Sequence, residues 1–88
     1  MNEVKLFFAN LKDPYSISCR TLCDNIKINY SEIAREIGVS HTTILDAVNY
    51  GKGSQIIKKK LVNRINQVLE KNKVDIKYLP SHFWNTVN

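Results

Sequence analysis

The chain has 88 residues, 43% hydrophobic and 24% charged, which excludes a disordered chain and allows one domain with one modest core. Two prolines and three glycines leave room for helices but not for the many tight turns of an all-β fold. Net charge is +5, and it is unevenly spread: residues 1–49 hold five Lys/Arg against six Asp/Glu, whereas residues 50–88 hold eight against two. An asymmetry of that size favours a polyanionic partner over a merely solvated helix face.

No apolar run approaches the roughly 20 residues of a membrane span. Leu6-Phe7-Phe8-Ala9 is too short for a signal-peptide core and is followed by charges. The expectation is a cytoplasmic, reduced protein with no membrane association.

In residues 2–13, Val4, Phe7, Phe8 and Leu11 recur at i, i+3, i+4 and i+7, which is one apolar helical face. A short strand over 4–8 competes, because the aromatics favour strands. Asp13-Pro14 ends the element. From Ser16 to about Lys27 the pattern predicts a second helix, capped by Ser16 or Ser18, with Ile17, Arg20, Thr21, Leu22 or Cys23, and Ile26 as its buried stripe. Cys19 and Cys23 share a helix face, but no accompanying ligand spacing makes them a metal site, so they read as small core residues.

Residues 29–49 organise the rest. Asn29 followed by Glu32 forms a capping box, and Ile28 can staple onto Ile33. Ile33, Ala34 and Ile37 fall at helical spacing, and Ala34 is small enough for a close helix crossing. Gly38 permits a reversal, Ser40 caps a second helix over 41–49, and Ile44, Ala47 and Val48 form its apolar stripe. Two short helices with a tight turn between them are the pattern of a helix-turn-helix, whose second helix enters a DNA major groove.

Asn49-Tyr50-Gly51-Lys52-Gly53-Ser54 is turn-rich. Ser54 then caps a long helix, about 55–72, with Ile57, Leu61, Ile65, Val68 and Leu69 facing inward and Lys58, Lys59, Lys60, Arg64 and Lys71 largely outside that stripe. Lysines in the first half of a helix oppose its dipole, and an anionic partner would explain them. Residues 74–79 read as a short helical turn capped by Asp75 and stopped near Pro80.

The pattern Ala34-x-x-x-Gly38-Val39-x-x-x-x-Ile44-x-x-Ala47-Val48-x-x-Gly51-Lys52 resembles the helix-turn-helix of the Cro and phage-repressor family. The flanks resemble it too: Ile28-Asn29-x-x-Glu32-Ile33-Ala34 looks like the family's approach to its second helix. Leu61-x-x-x-Ile65-x-x-x-Leu69 and Val74-x-x-x-Tyr78-Leu79 look like its fourth and fifth helices. The resemblance implies one all-α domain, a compact four- to five-helix bundle. Its repressor-like core is residues 16–79, with residues 1–14 and 80–88 as extensions.

It also implies roles. His41, Thr42 and Asp46 match base-reading positions where amides are usual, and Leu45 stands where polar residues are common. Asp46 can only accept, which suits a cytosine amine; alternatively it orients Lys52 or Asn49. Phosphate contacts fall to Tyr30, Ser40, Thr43, Asn49, Lys52 and Ser54, followed by Lys58, Lys59 and Lys60, and to the amides that open the second and fourth helices. The expected partner is double-stranded DNA bound by a homodimer, with Phe7, Phe8, Leu11, Phe83 and Trp84 as the pairing surface.

No Gly-rich phosphate loop, carboxylate pair or Ser/His/Asp arrangement stands out, so neither an enzyme nor a cofactor is expected. Two other functions fit the residues: a helix-turn-helix that binds a regulatory protein, supported by Leu45 and Asp46, and a non-specific nucleic-acid binder that uses its lysines alone.

Overall fold

The structure, a computed structural model, describes residues 2–84; among these it contains five α-helices and no strand. They are α1 (Glu3–Ala9), α2 (Cys19–Asn25), α3 (Tyr30–Ile37), α4 (His41–Tyr50) and α5 (Gln55–Lys71), with 3-10 turns at Pro14–Ser16 and Pro80–His82. The last four residues of the expected 80–88 tail lie outside the described residues. Among the described residues no helix is long and apolar enough to cross a membrane.

Each helix starts behind a side-chain oxygen that accepts one of its otherwise unpaired amides. Asn2 accepts from Val4 and Lys5, Ser18 from Thr21, Asn29 from Glu32, Ser40 from Thr43 and Ser54 from Ile57. Each such cap contributes about 1 kcal/mol. The capping box at Asn29 is only half formed, because the Glu32 carboxylate turns to Arg64 on α5 instead of reaching back. A charged partner on a neighbouring helix outweighs a local amide.

The second helix is shorter than its pattern predicts. Asp13 accepts from the Tyr15 amide and the Ser16 hydroxyl, so Ser16 closes a separate turn and Ser18 becomes the cap. The helix then buries Cys19, Leu22 and Cys23, with Ile26 just beyond it. Arg20 and Thr21, expected inside, are exposed.

Leu22, Cys23, Ile33, Ile44, Ala47, Leu61, Ile65 and Leu69 are sealed from solvent at the centre of the core. Burial of each large apolar side chain contributes roughly 1.5–3 kcal/mol. Val62 joins this core, while Val68 is only partly buried against it.

Residues 74–79 form no helix and no Asp75 cap. Asn66 on α5 is the reason: its side-chain oxygen accepts from the Tyr78 amide at 2.8 Å and its amide donates to the Tyr78 carbonyl at 2.9 Å. A side chain that mimics a strand partner holds the backbone extended. Tyr78, 1% exposed, donates its hydroxyl to the Pro14 carbonyl and stacks on Phe83 at 5.0 Å. Tyr15 and His82 pack at its edges. The linker before α2 and the stretch after α5 therefore meet in one aromatic cluster.

This places part of the expected pairing surface inside the monomer. Phe8 and Trp84 are each 8% exposed and belong to the core, and Phe7, Leu11 and Phe83 are half-buried against it. Large aromatics in a small domain have more to gain from its own core, and Phe8 and Trp84 offer little surface to a second subunit.

Candidate nucleic-acid interface

The site begins with the turn between α3 and α4. Gly38 adopts φ +84°, a left-handed conformation that ends α3, and the amides of Gly38 and Val39 both donate to the Ala34 carbonyl. Two residues later Ser40 caps α4 through the Thr43 amide at 3.2 Å, and its hydroxyl shares a 2.9 Å bond with the Thr43 hydroxyl.

On α4, Ile44, Ala47 and Val48 are buried, and this fixes what the helix presents outward. Thr42, Leu45, Asp46 and Asn49 follow at i, i+3, i+4 and i+7 on the opposite side, with Thr42 and Asn49 exposed and Leu45 and Asp46 half-buried. His41 is exposed at the N-terminal end, with its ring 6.3 Å from that of Tyr30 on α3. The four expected base-reading residues, His41, Thr42, Leu45 and Asp46, thus lie on one continuous surface.

The flank of that surface holds a network. Asp24 on α2 accepts from the Arg20 Nε at 2.9 Å with one oxygen and from the Tyr30 hydroxyl at 3.0 Å with the other. Arg20 Nη1 donates to the Asn49 side chain at 2.9 Å, and the guanidinium lies 6.0 Å from the centre of the Tyr30 ring. The hydrogen bond to Asp24 holds Arg20 firmly as a cation. Burial, with the Cys23 thiol and Asp24 nearby, pushes the Tyr30 phenol well above its ordinary value, so it stays neutral. Two phosphate candidates, Tyr30 and Asn49, therefore already have protein partners. Arg20 is an exposed cation beside the outward surface of α4, where the apolar stripe expected of α2 has it facing inward.

Asp46 orients neither Lys52 nor Asn49. Asn49 is bonded to Arg20, Lys52 lies 5.9 Å from the Tyr50 ring, and the Asp46 carboxylate has no hydrogen-bond or ion-pair partner among the described residues.

The C-terminal end of α4 is braced from a distance. Trp84 donates its indole N–H to the Ala47 carbonyl at 3.2 Å. Gly51 follows at φ +69°, and a Cβ there would lie 3.1 Å from Trp84 Cδ1, so both conformation and space call for glycine. Lys58 lies over the other part of this arrangement, 5.8 Å from the Trp84 ring. No local pattern marks Trp84 for this role; the only hint is that a buried indole seeks an acceptor.

Lys58, Lys59 and Lys60 do not share one surface. Consecutive helical residues turn by about 100°. Lys58 accordingly turns to Trp84, Lys59 to the groove it lines with Leu79 and Pro80, and Lys60 lies exposed one turn before Arg64. Arg64 itself pairs with both Glu32 and Glu36. Burial alone would lower its pKa, but the two carboxylates outweigh that and keep it charged. In return, Glu32 and Glu36 of α3, the helix before α4, are neutralised. Lys52 and Ser54 are exposed in the loop after α4, with Ser54 occupied as the α5 cap.

Cys19 and Cys23 are buried with their sulfurs 3.9 Å apart. Among the described residues no group of three or more His, Cys, Asp or Glu side chains is placed to hold a metal ion. Comparison of the chain with protein-family models, curated proteins and solved structures finds no match.

Proposed function

We propose that the chain is a sequence-specific, DNA-binding transcriptional regulator, a repressor of the phage or mobile-element type that works in the cytoplasm as a binder and not as an enzyme. The observation that carries this reading is the outward surface of α4. A helix capped at one end and braced at the other presents His41, Thr42, Leu45, Asp46 and Asn49 together, on the second helix of a helix-turn-helix. His41 can pair with a purine edge, Thr42 with a base or a thymine methyl, and Asp46 with a cytosine amine.

One such helix contacts too little DNA for nanomolar specificity. A twofold dimer on a palindrome, with reading helices about 34 Å apart, supplies the remainder. With Phe8 and Trp84 inside the monomer, pairing relies on other residues or on the DNA itself.

The test is selection from random duplexes, followed by mobility shifts. An enriched palindromic motif is expected, and His41→Ala with Thr42→Ala lowers affinity for it while sparing random duplex. About five or six neutralised phosphates per subunit give a log–log salt slope near −5. Binding without an enriched motif favours a non-specific nucleic-acid binder. The unpartnered Asp46 carboxylate supports a second reading, a regulatory protein as partner; no binding to any duplex at low salt favours it.

A further inference from the structure

The outward surface of α4 carries no cation. Thr42, Leu45, Asp46 and Asn49 leave it with a single charge, an unpartnered carboxylate. A helix of that kind can approach a polyanion only where cations lie along its flank. The lysines of α5 fan around their own helix, Lys52 sits beyond the C-terminal end near Tyr50, and Arg64 is committed to two glutamates. Among the described residues, Arg20 is the basic side chain seen to bond to an outward residue of α4, Asn49.

We propose that Arg20 is a phosphate-anchoring residue of the DNA interface, held ready beside α4 by Asp24 and Asn49. This rests on the DNA-binding reading above.

Three observations support it. The guanidinium is fixed from two sides, by Asp24 Oδ2 and by Asn49 Oδ1, both at 2.9 Å, which restricts the rotamer freedom that a free arginine would lose on binding. These contacts use Nε–H and one Nη1–H; a guanidinium has five N–H groups, and the others remain available on a side chain that is 46% exposed. Arg20 also sits at the C-terminal part of the row His41–Leu45–Asn49, and Tyr30 at its N-terminal part, so the pair borders the reading surface where a groove wall would run. Asp24 balances the charge of Arg20 and its second oxygen accepts from the Tyr30 hydroxyl, so the pair meets a phosphate as a set of directed N–H donors and not as a net negative group. The fork geometry suits a phosphate, which positions the protein, better than a single base edge.

The experiment measures mobility shifts of wild type, Arg20→Ala and Arg20→Lys on the selected duplex and on a random-sequence duplex, across a salt series. Arg20→Ala is expected to weaken binding to both duplexes about tenfold near 0.1 M salt and to make the salt slope shallower by about 1. Arg20→Lys is expected to restore the slope but not the full affinity, because an ammonium cannot hold Asp24 and Asn49 together as a fork does. Wild-type affinity and slope in Arg20→Ala overturn the inference and leave the DNA-binding reading standing. Absence of binding by the wild-type chain overturns that reading, and this one with it. Circular dichroism checks the fold; if Arg20→Ala loses its helical signal, Arg20→Gln is read by the same two criteria.

Discussion

At its N-terminal end α4 is held by a neighbour in sequence. Ser40 caps it through the Thr43 amide, and the residues that follow, His41 and Thr42, stay open to solvent. At its C-terminal end the holding parts come from far along the chain: Trp84 on the Ala47 carbonyl and Arg20 on Asn49. The two ends do different work. A locally made cap leaves the first turn open to solvent, whereas the last turn gives up its freedom to fix the direction in which the helix points. Gly51 joins the two arrangements, because it both ends the helix and makes room for the indole.

Substitutions that attack each end should separate them. Trp84→Ala removes a buried indole and its hydrogen bond and should lower stability by about 3 kcal/mol or more, read from urea unfolding. A loss below about 1 kcal/mol would mean that the far end needs no brace.

Alkaline pH reaches the same end through Tyr78, which anchors the segment carrying Trp84. Burial, with Tyr15 and Asp13 nearby, pushes the Tyr78 phenol from 10.0 up to about 12. A raised pKa means that the neutral form is favoured in the folded state. Its contribution is therefore complete below pH 10 and is lost as pH rises through 12. Cys23 and Tyr30, both raised, push in the same direction. Thermal melts in reducing buffer should be steady to about pH 9 and fall steeply above it. Tyr78→Phe should flatten the part of that fall between pH 10 and 12.

Ser40→Ala attacks the near end and should cost about 1 kcal/mol, with helicity otherwise retained. His41→Ala with Thr42→Ala should change stability by less than about 0.5 kcal/mol, since both side chains are exposed. A large loss in that double variant would show the first turn to be structural and would undercut its role in recognition.

The same contrast explains what could be read from the sequence. The edges of α3 and α4 were legible because Asn29, Gly38, Ser40 and Gly51 act on amides and carbonyls within a few residues of themselves. The apolar spacing of α5 was legible for the same reason. What was not legible depends on partners far apart in the chain. Glu32 leaves its cap for Arg64, 32 residues away, and Asn66 holds Tyr78 extended where spacing alone suggests a helical turn. Arg20 and Thr21 fall inward only when the stripe is counted from Ile17; Ile17 is extended and precedes the helix, and the buried stripe runs through Cys19, Leu22, Cys23 and Ile26 instead. In the candidate site, the outward residues of α4 could be named from its period, whereas the Arg20–Asp24–Tyr30–Asn49 network required three helices to be in place.

The Trp84–Ala47 hydrogen bond closes a span of 37 residues, and a long loop must be ordered before that contact forms. Contacts between α3 and α4, a few residues apart, carry no such delay. Loop-closure entropy therefore predicts that the helix pair forms before the indole docks. Trp84→Ala should therefore speed unfolding while leaving the folding rate nearly unchanged. The direction in which α4 points is then expected to be set only after the helix itself has formed, and to be lost before it.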